Sequence, residues 1–170
     1  MTPAWNPVDV FEVETPYAGR LSVCMRPRGG MWLDSDIKRL RTAGWDVLVS
    51  ALMPREIEQL QLAATEQHCS EFGIEYVPFP IGNLQVPELE EAVKRFELLR
   101  MRLRDGLAVT AHCNGSIGRA PLIIASLLVL GGVEPGEAWM RIREARCEQV
   151  PDTPEQRDWV ARLADLALHG

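Results

Sequence analysis

Residues Leu107–Ala120 read LAVTAHCNGSIGRA. An apolar run from Leu107 to Ala111 leads straight into His112 and Cys113. The short stretch Asn114-Gly115-Ser116-Ile117-Gly118 follows, and at Arg119 a helical pattern begins that lasts to Leu130, ahead of Gly131-Gly132. A loop between a strand and a helix N-terminus can aim its backbone amides at one point and hold an anion there. Gly115 and Gly118 permit the backbone angles and the close approach that such a cradle needs. A thiol at Cys113 lies within it, where loop dipoles and Arg119 favour the thiolate. The planar guanidinium of Arg119 offers a fork for two oxygens of the anion. A buried structural cysteine beside a turn is the plainer reading, but the change from apolar to glycine-containing polar sequence at Cys113 favours the anion site. His112 is read as orienting the loop and supporting the thiolate. It faces away from Cys113 if the strand persists, so it is not read as a general base.

Working outward, Val8 to Val13 and Leu21 to Met25 alternate and read as strands joined by a hairpin turn around Pro16–Gly19. Arg26 to Gly30 reads as a loop. A helix is expected over Leu33–Thr42, with Leu33, Ile37 and Leu40 on one face and Gly44 beyond its end. Trp45 to Leu52 reads as a buried strand, Pro54 as the start of a short helix, Leu62–Phe72 as a helix stopped by Gly73, and Ile74–Phe79 as a strand. Pro78, Pro80, Gly82 and Asn83 mark a loop. Pro87 opens a long amphipathic helix to about Arg104, whose arginines (Arg95, Arg100, Arg102, Arg104) read as a solvated face. Helices follow the cradle over 119–130, 134–146 and 153–168. Strands alternating with helices imply an α/β fold, a mainly parallel central sheet flanked by helices on both faces. No linker divides the chain, so one domain over residues 1–170 is expected.

The composition is that of an ordinary globule, 46% hydrophobic and 25% charged over 170 residues, with a formal charge of −6. That balance disfavours a nucleic-acid partner, which wants a basic face. The opening MTPAWNPVDV carries no basic and apolar leader pattern, and the longest apolar run, Pro121–Leu130, is about half a membrane span. The expectation is a cytoplasmic protein with no membrane partner. The four cysteines, Cys24, Cys69, Cys113 and Cys147, have no paired metal spacing. They fit a reducing compartment, without metal or cofactor. The tryptophans, Trp5, Trp32, Trp45, Trp139 and Trp159, read as core or edge packing.

The run HCNGSIGRA matches HCx5R, the signature loop of the protein tyrosine and dual-specificity phosphatase superfamily. RPRGGMWLDSDIKRLRTAGWDVLVSAL resembles the front half of small bacterial dual-specificity-like phosphatases, and REARCEQVPDTPEQRDWV resembles the family's tail. The resemblance spans about Leu21 to Val160. It implies phosphomonoester hydrolysis in two steps, with Cys113 attacking phosphorus to form a phosphocysteine and water then releasing phosphate. Arg119 and the amides of Asn114, Gly115, Ser116, Ile117 and Gly118 would stabilise the transferring group. The implied partner is a phosphorylated protein or a small aryl phosphate.

Two positions depart from the family pattern. FPIGNLQVP stands where the family carries its general-acid loop, and the acid aspartate falls at Asn83, which cannot protonate a leaving oxygen. The hydroxyl residue that follows the arginine is Ala120. General acid catalysis is worth roughly 10²–10⁴-fold, and a hydrogen bond to a charged group about 1.5–3 kcal/mol. The readings left open are a slow phosphatase that prefers good leaving groups, a replacement proton donor at Glu88 or Asp152, or a site that binds phosphorylated partners without hydrolysis. The first is favoured. Rhodanese-like and arsenate-reductase chemistry, which uses similar loops, is disfavoured by the long helix after the loop and by the tail.

Of the lesser candidates, Arg26 and Arg28 could recruit phosphate at the pocket entrance, against an exposed basic loop. Gln156 could position the second-step water, as the family's tail glutamine would, against a surface glutamine. Asp152 reads first as a helix cap. Cys147 could be a redox partner for Cys113, while Cys24 and Cys69 read as packing thiols.

Overall fold

The computed structural model describes residues 8–170. Trp5 and most of the opening stretch read for a leader lie outside the described residues. Five strands are present: β1 (Val10–Val13), β2 (Leu21–Cys24), β3 (Val47–Ser50), β4 (Glu75–Pro78) and β5 (Val109–His112). The helices are α1 (Leu33–Thr42), α2 (Pro54–Gln59), α3 (Thr65–Phe72), α4 (Leu89–Arg104), α5 (Arg119–Leu130), α6 (Pro135–Arg146) and α7 (Pro154–His169). A 3₁₀ turn over Gly30–Trp32 leads into α1.

The sheet runs β1-β2-β5-β3-β4. β2, β5, β3 and β4 are parallel, and β1 is antiparallel on β2 with Val13 opposite Leu21, which is the expected hairpin. Its turn is pinned at Gly19. The Gly19 amide donates to the Leu103 carbonyl at 2.8 Å, and a Cβ there would overlap the Leu107 carbonyl. The chain moves outward from β3 to β4 and then returns to place β5 between β2 and β3. Loops leave the carboxyl ends of all four parallel strands on one side, and a strand order that reverses there opens a crevice for a ligand.

The two sheet faces carry separate cores. Val23, Val49, Val109 and Ala111 pack with buried side chains of α4, α5, α6 and α7. Cys24, Leu48 and Ala108 pack with Leu33, Ile37 and Leu40 of α1 and Cys69 of α3. Helix α5 is buried from Arg119 to Val129, which accounts for a sequence that is apolar from Ala120 to Leu130 except for Ser126. No described helix is long and apolar enough to cross a membrane.

Two packing expectations change. Trp45, Trp139 and Trp159 are buried as expected, but Trp32 is 50% exposed, with the Arg28 guanidinium 4.6 Å from its ring centre. Three arginines of α4 fasten it to its neighbours, while Arg104 is exposed as expected. Arg95 donates to the Pro78 carbonyl at 2.9 Å, Arg102 to Glu75 at 2.7 Å, and Arg100 to the Leu130 carbonyl at 3.0 Å. A helix lying against a sheet edge leaves strand and helix carbonyls within reach of long guanidinium side chains, which sequence periodicity does not register.

Candidate active site

The middle strand of the sheet delivers the site. β5 stays in register with β3 through His112, opposite Ser50, and the Ala51 amide bonds the His112 carbonyl at 2.9 Å. Cys113 follows immediately, buried at 3% exposure in the core shared with α5. His112 points to the other side of the strand and is fully buried. Its Nδ1 lies 3.2 Å from the Cys113 carbonyl. Burial pushes its pKa down to about 4, the Cys113 carbonyl opposes that shift, and the charges of Arg26 and Arg119 add to it. The ring is therefore neutral near pH 7, and Nδ1 must carry the proton to donate to the carbonyl. His112 thus clamps the peptide that follows Cys113.

The loop of Asn114, Gly115, Ser116, Ile117 and Gly118 is held from outside. The Ser116 hydroxyl donates to the Cys24 carbonyl at 2.6 Å, so this side chain serves as a peg to β2. Arg146 of α6 donates to the Ser116 carbonyl at 3.2 Å and to the Gly115 carbonyl at 3.3 Å, and its guanidinium lies over Phe11. In a planar trans peptide the N–H points opposite to the C=O. Tying these two carbonyls to Arg146 turns the Ser116 and Ile117 amides away from it. The two glycines differ. A Cβ at Gly115 would meet nothing within 4 Å, whereas one at Gly118 would overlap Asp152 Oδ2 and stand 3.0 Å from Gln156 Nε2.

Arg119, the first residue of α5, is 3% exposed. Its Nη1 donates to Glu56 Oε2 at 2.7 Å and to the Ile81 carbonyl at 2.9 Å, and its Nη2 donates to Glu56 Oε1 at 2.8 Å. The Cys113 thiol lies within reach of the same guanidinium. Glu56 also accepts from the Met53 amide at 2.9 Å at the start of α2. The Arg119 pairing is the main cause that holds the Glu56 carboxyl below the usual range, so Glu56 is a fixed counter-charge. Nothing in the reading of PREIEQ singled out Glu56. It lies 63 residues from Arg119, and only tertiary folding joins them.

The other candidates fall as follows. Asn83 is exposed in a turn whose flanks are anchored at Ile81, through Arg119, and at Gln85, whose carbonyl accepts from Gln156 Nε2 at 3.3 Å. Gln156 is buried, which removes the alternative of a surface glutamine. Its Oε1 accepts from the Thr153 amide in a capping box, so it braces this loop. Thr153 is the cap of α7, a place the sequence reading gave to Asp152. Ala120 is fully buried. Glu88 caps α4 by accepting from Glu90 and Glu91 amides, and these bonds hold its carboxyl below the usual range. Arg28 is bound to buried Asp36 through its amide, Nε and Nη2 at 2.7–3.1 Å. Cys24 and Cys69 are buried, each with burial pushing its thiol up to about 12. Cys147 is exposed at the end of α6, its thiol 3.4 Å from the Glu144 carbonyl.

A mostly parallel sheet whose middle strand feeds such a loop is the architecture of the dual-specificity and tyrosine phosphatases. A family model described as "Polymorphic toxin system, DSP-PTPase phosphatase" matches residues 25–133, and the chain belongs to this family of phosphatases. Among solved structures, a kinase associated phosphatase with its catalytic cysteine replaced by serine superposes with a TM-score of 0.87 at 18% identity, covering 98% of this chain and 99% of that one. Tk-PTP in its active form gives 0.73 at 21% identity, covering 95% and 98%. A protein tyrosine phosphatase from Leishmania major also gives 0.73 at 21%, covering 92% and 98%. No curated protein matches the sequence.

Proposed function

We propose that this phosphatase hydrolyses phosphomonoesters through a phosphocysteine on Cys113, with an aryl phosphate or phosphotyrosine of a protein as substrate and residues 1–170 acting as one domain. The observation that carries the reading is the posture of Arg119. Glu56 and the Ile81 carbonyl take up three of its donors, and the guanidinium is held next to the Cys113 thiol. A guanidinium has five N–H donors, so part of the fork remains to grip phosphoryl oxygens beside the attacking sulfur. The Ser116 and Ile117 amides add neutral donors that need no reorganisation during the reaction. His112 keeps the peptide after Cys113 in place. Phosphate leaves when water attacks phosphorus and the sulfur departs.

A second reading has its own support. The exposed Asn83 has no acidic proton, and Ala120 offers no hydroxyl to the departing sulfur. On that reading the cradle binds phosphorylated partners without turnover. Hydrolysis of p-nitrophenyl phosphate by the wild-type chain beside Cys113→Ser separates the two, because this leaving group needs little protonation. Turnover that disappears in the serine variant is the expected result. No turnover above that control, from folded and reduced protein, would favour the reading of binding without catalysis.

A further inference from the structure

We propose that Asp152 is the acid–base residue of this site: it protonates the leaving oxygen in the first step and takes a proton from the attacking water in the second. The inference rests on the phosphocysteine reading given above. Gly118 is the last residue of the cradle, next to Arg119. The carboxylate of Asp152 occupies the space that a side chain at 118 would fill, with Oδ2 2.3 Å and Cγ 3.0 Å from where its Cβ would stand. The segment bearing Asp152 is fixed there. Gln156, one turn along α7, has its Nε2 3.0 Å from the same point and bonded to the Gln85 carbonyl, and Thr153 closes the capping box. A carboxylate thus lies against the last residue of the loop, in space left open by the absence of a side chain at residue 118, on a segment that the capping box of α7 fixes.

The competing carboxylates are otherwise engaged. Glu56 is ion-paired with both Nη atoms of Arg119, Glu88 is tied to the amides at the start of α4, and Asp36 is bound to Arg28. Among the described residues no hydrogen bond or ion pair holds the Asp152 carboxylate, and the residue is exposed beside Gly118. The atoms balance around it. In the first step the S–P bond forms, the P–O bond to the leaving group breaks, and the carboxyl proton moves to the leaving oxygen. In the second step water oxygen bonds phosphorus, the S–P bond breaks, and the water proton returns to the carboxylate.

The test compares wild type, Asp152→Asn and Asp152→Glu on a series of aryl phosphates from p-nitrophenyl to phenyl and on phosphoserine, reading kcat/KM. That ratio reports steps through P–O cleavage. Removal of a general acid is expected to lower kcat/KM by about 10²-fold or more on the poorest leaving groups, while the nitrophenyl ester changes by about threefold or less, since its leaving group needs little protonation. The dependence on leaving group therefore steepens in Asp152→Asn, and Asp152→Glu restores part of it. A merely structural role would lower all substrates alike, which thermal unfolding of the variants would accompany. Equal losses across the series overturn the proposal, as does a wild-type dependence already as steep as that of Asp152→Asn. If nitrophenyl turnover survives in Cys113→Ser, the phosphocysteine reading fails instead. An absence of all turnover in wild type overturns both.

Discussion

Arg119 and Ala120 are neighbours with opposite fortunes. Arg119 is buried yet fully charged, and it persists there because Glu56 neutralises it and the Ile81 carbonyl accepts a further hydrogen bond. An unpaired buried guanidinium would cost several kcal/mol. The pair does more than balance charge, since it sets the plane of the fork. Ala120 is fully buried and supplies no polar group. On the phosphocysteine reading, a serine hydroxyl at this point would stabilise the sulfur as it leaves phosphorus. In Ala120→Ser, breakdown of the phosphoenzyme is expected to accelerate by about 10–100-fold, the equivalent of one hydrogen bond to a charged group, as read by rapid-quench kinetics. An unchanged rate would mean that the new hydroxyl bonds the preceding helical turn instead, as Ser126 does with the Leu122 carbonyl at 2.7 Å.

The cradle is an element with no regular structure of its own, and it depends on three regular ones. β5 and α5 fix its ends, while α6 reaches across with Arg146 to the Gly115 and Ser116 carbonyls. Ser116 has φ 56°, in the left-handed region. A non-glycine residue pays about 1–3 kcal/mol for such a conformation, and the buried bond from its hydroxyl to the Cys24 carbonyl offsets that cost. Arg146→Ala removes the outer tether while leaving Cys113 and Arg119 in place. The loss of two charge-assisted, partly exposed bonds is expected to weaken kcat/KM and inhibition by inorganic phosphate together by about tenfold. Hydrogen exchange at the Ser116 and Ile117 amides should quicken. Slower turnover with unchanged phosphate inhibition would show that Arg146 is not what aims those amides. The stretch of sequence that forms the loop gave no sign of this tether, because Arg146 follows Ser116 by 30 residues.

Across the whole molecule, His112 makes folding sensitive to acid. It is buried between the sheet and the loop with its pKa pushed down to about 4, mainly by burial. The unfolded chain binds a proton at its ordinary value of about 6.5. Between these values the unfolded state holds the proton and the native state does not, so stability rises with pH through this window and is lost as pH falls. The loss from pH 7 to pH 4 should reach about 3 kcal/mol. Glu12 and Glu56, held low mainly by Arg20 and Arg119, contribute at the acid end of this range. Urea unfolding at a series of pH values should show the slope, and His112→Asn should flatten it between pH 5 and 6.5. A slope that survives the substitution would assign it to another group.

Local sequence determined much of this protein. The alternation of strands, the helix breaks at Gly73 and Gly131, the hairpin before β2, and the Cys113–Arg119 loop were all legible, because turns, caps and periodic faces are set within a few residues. Asn83 and Ala120 stood out as departures only through the resemblance to the phosphatase family, not through any local pattern. Only the tertiary structure decided which distant groups meet. It brought Glu56 to Arg119, Arg146 to the loop carbonyls, Gln156 to Gln85, and Asp152 to Gly118. These contacts arise because β5 returns to the middle of the sheet and the loops leaving the parallel strands gather at one edge, beside the start of α7. Burial within that arrangement, rather than any local pattern, is also what keeps His112 neutral.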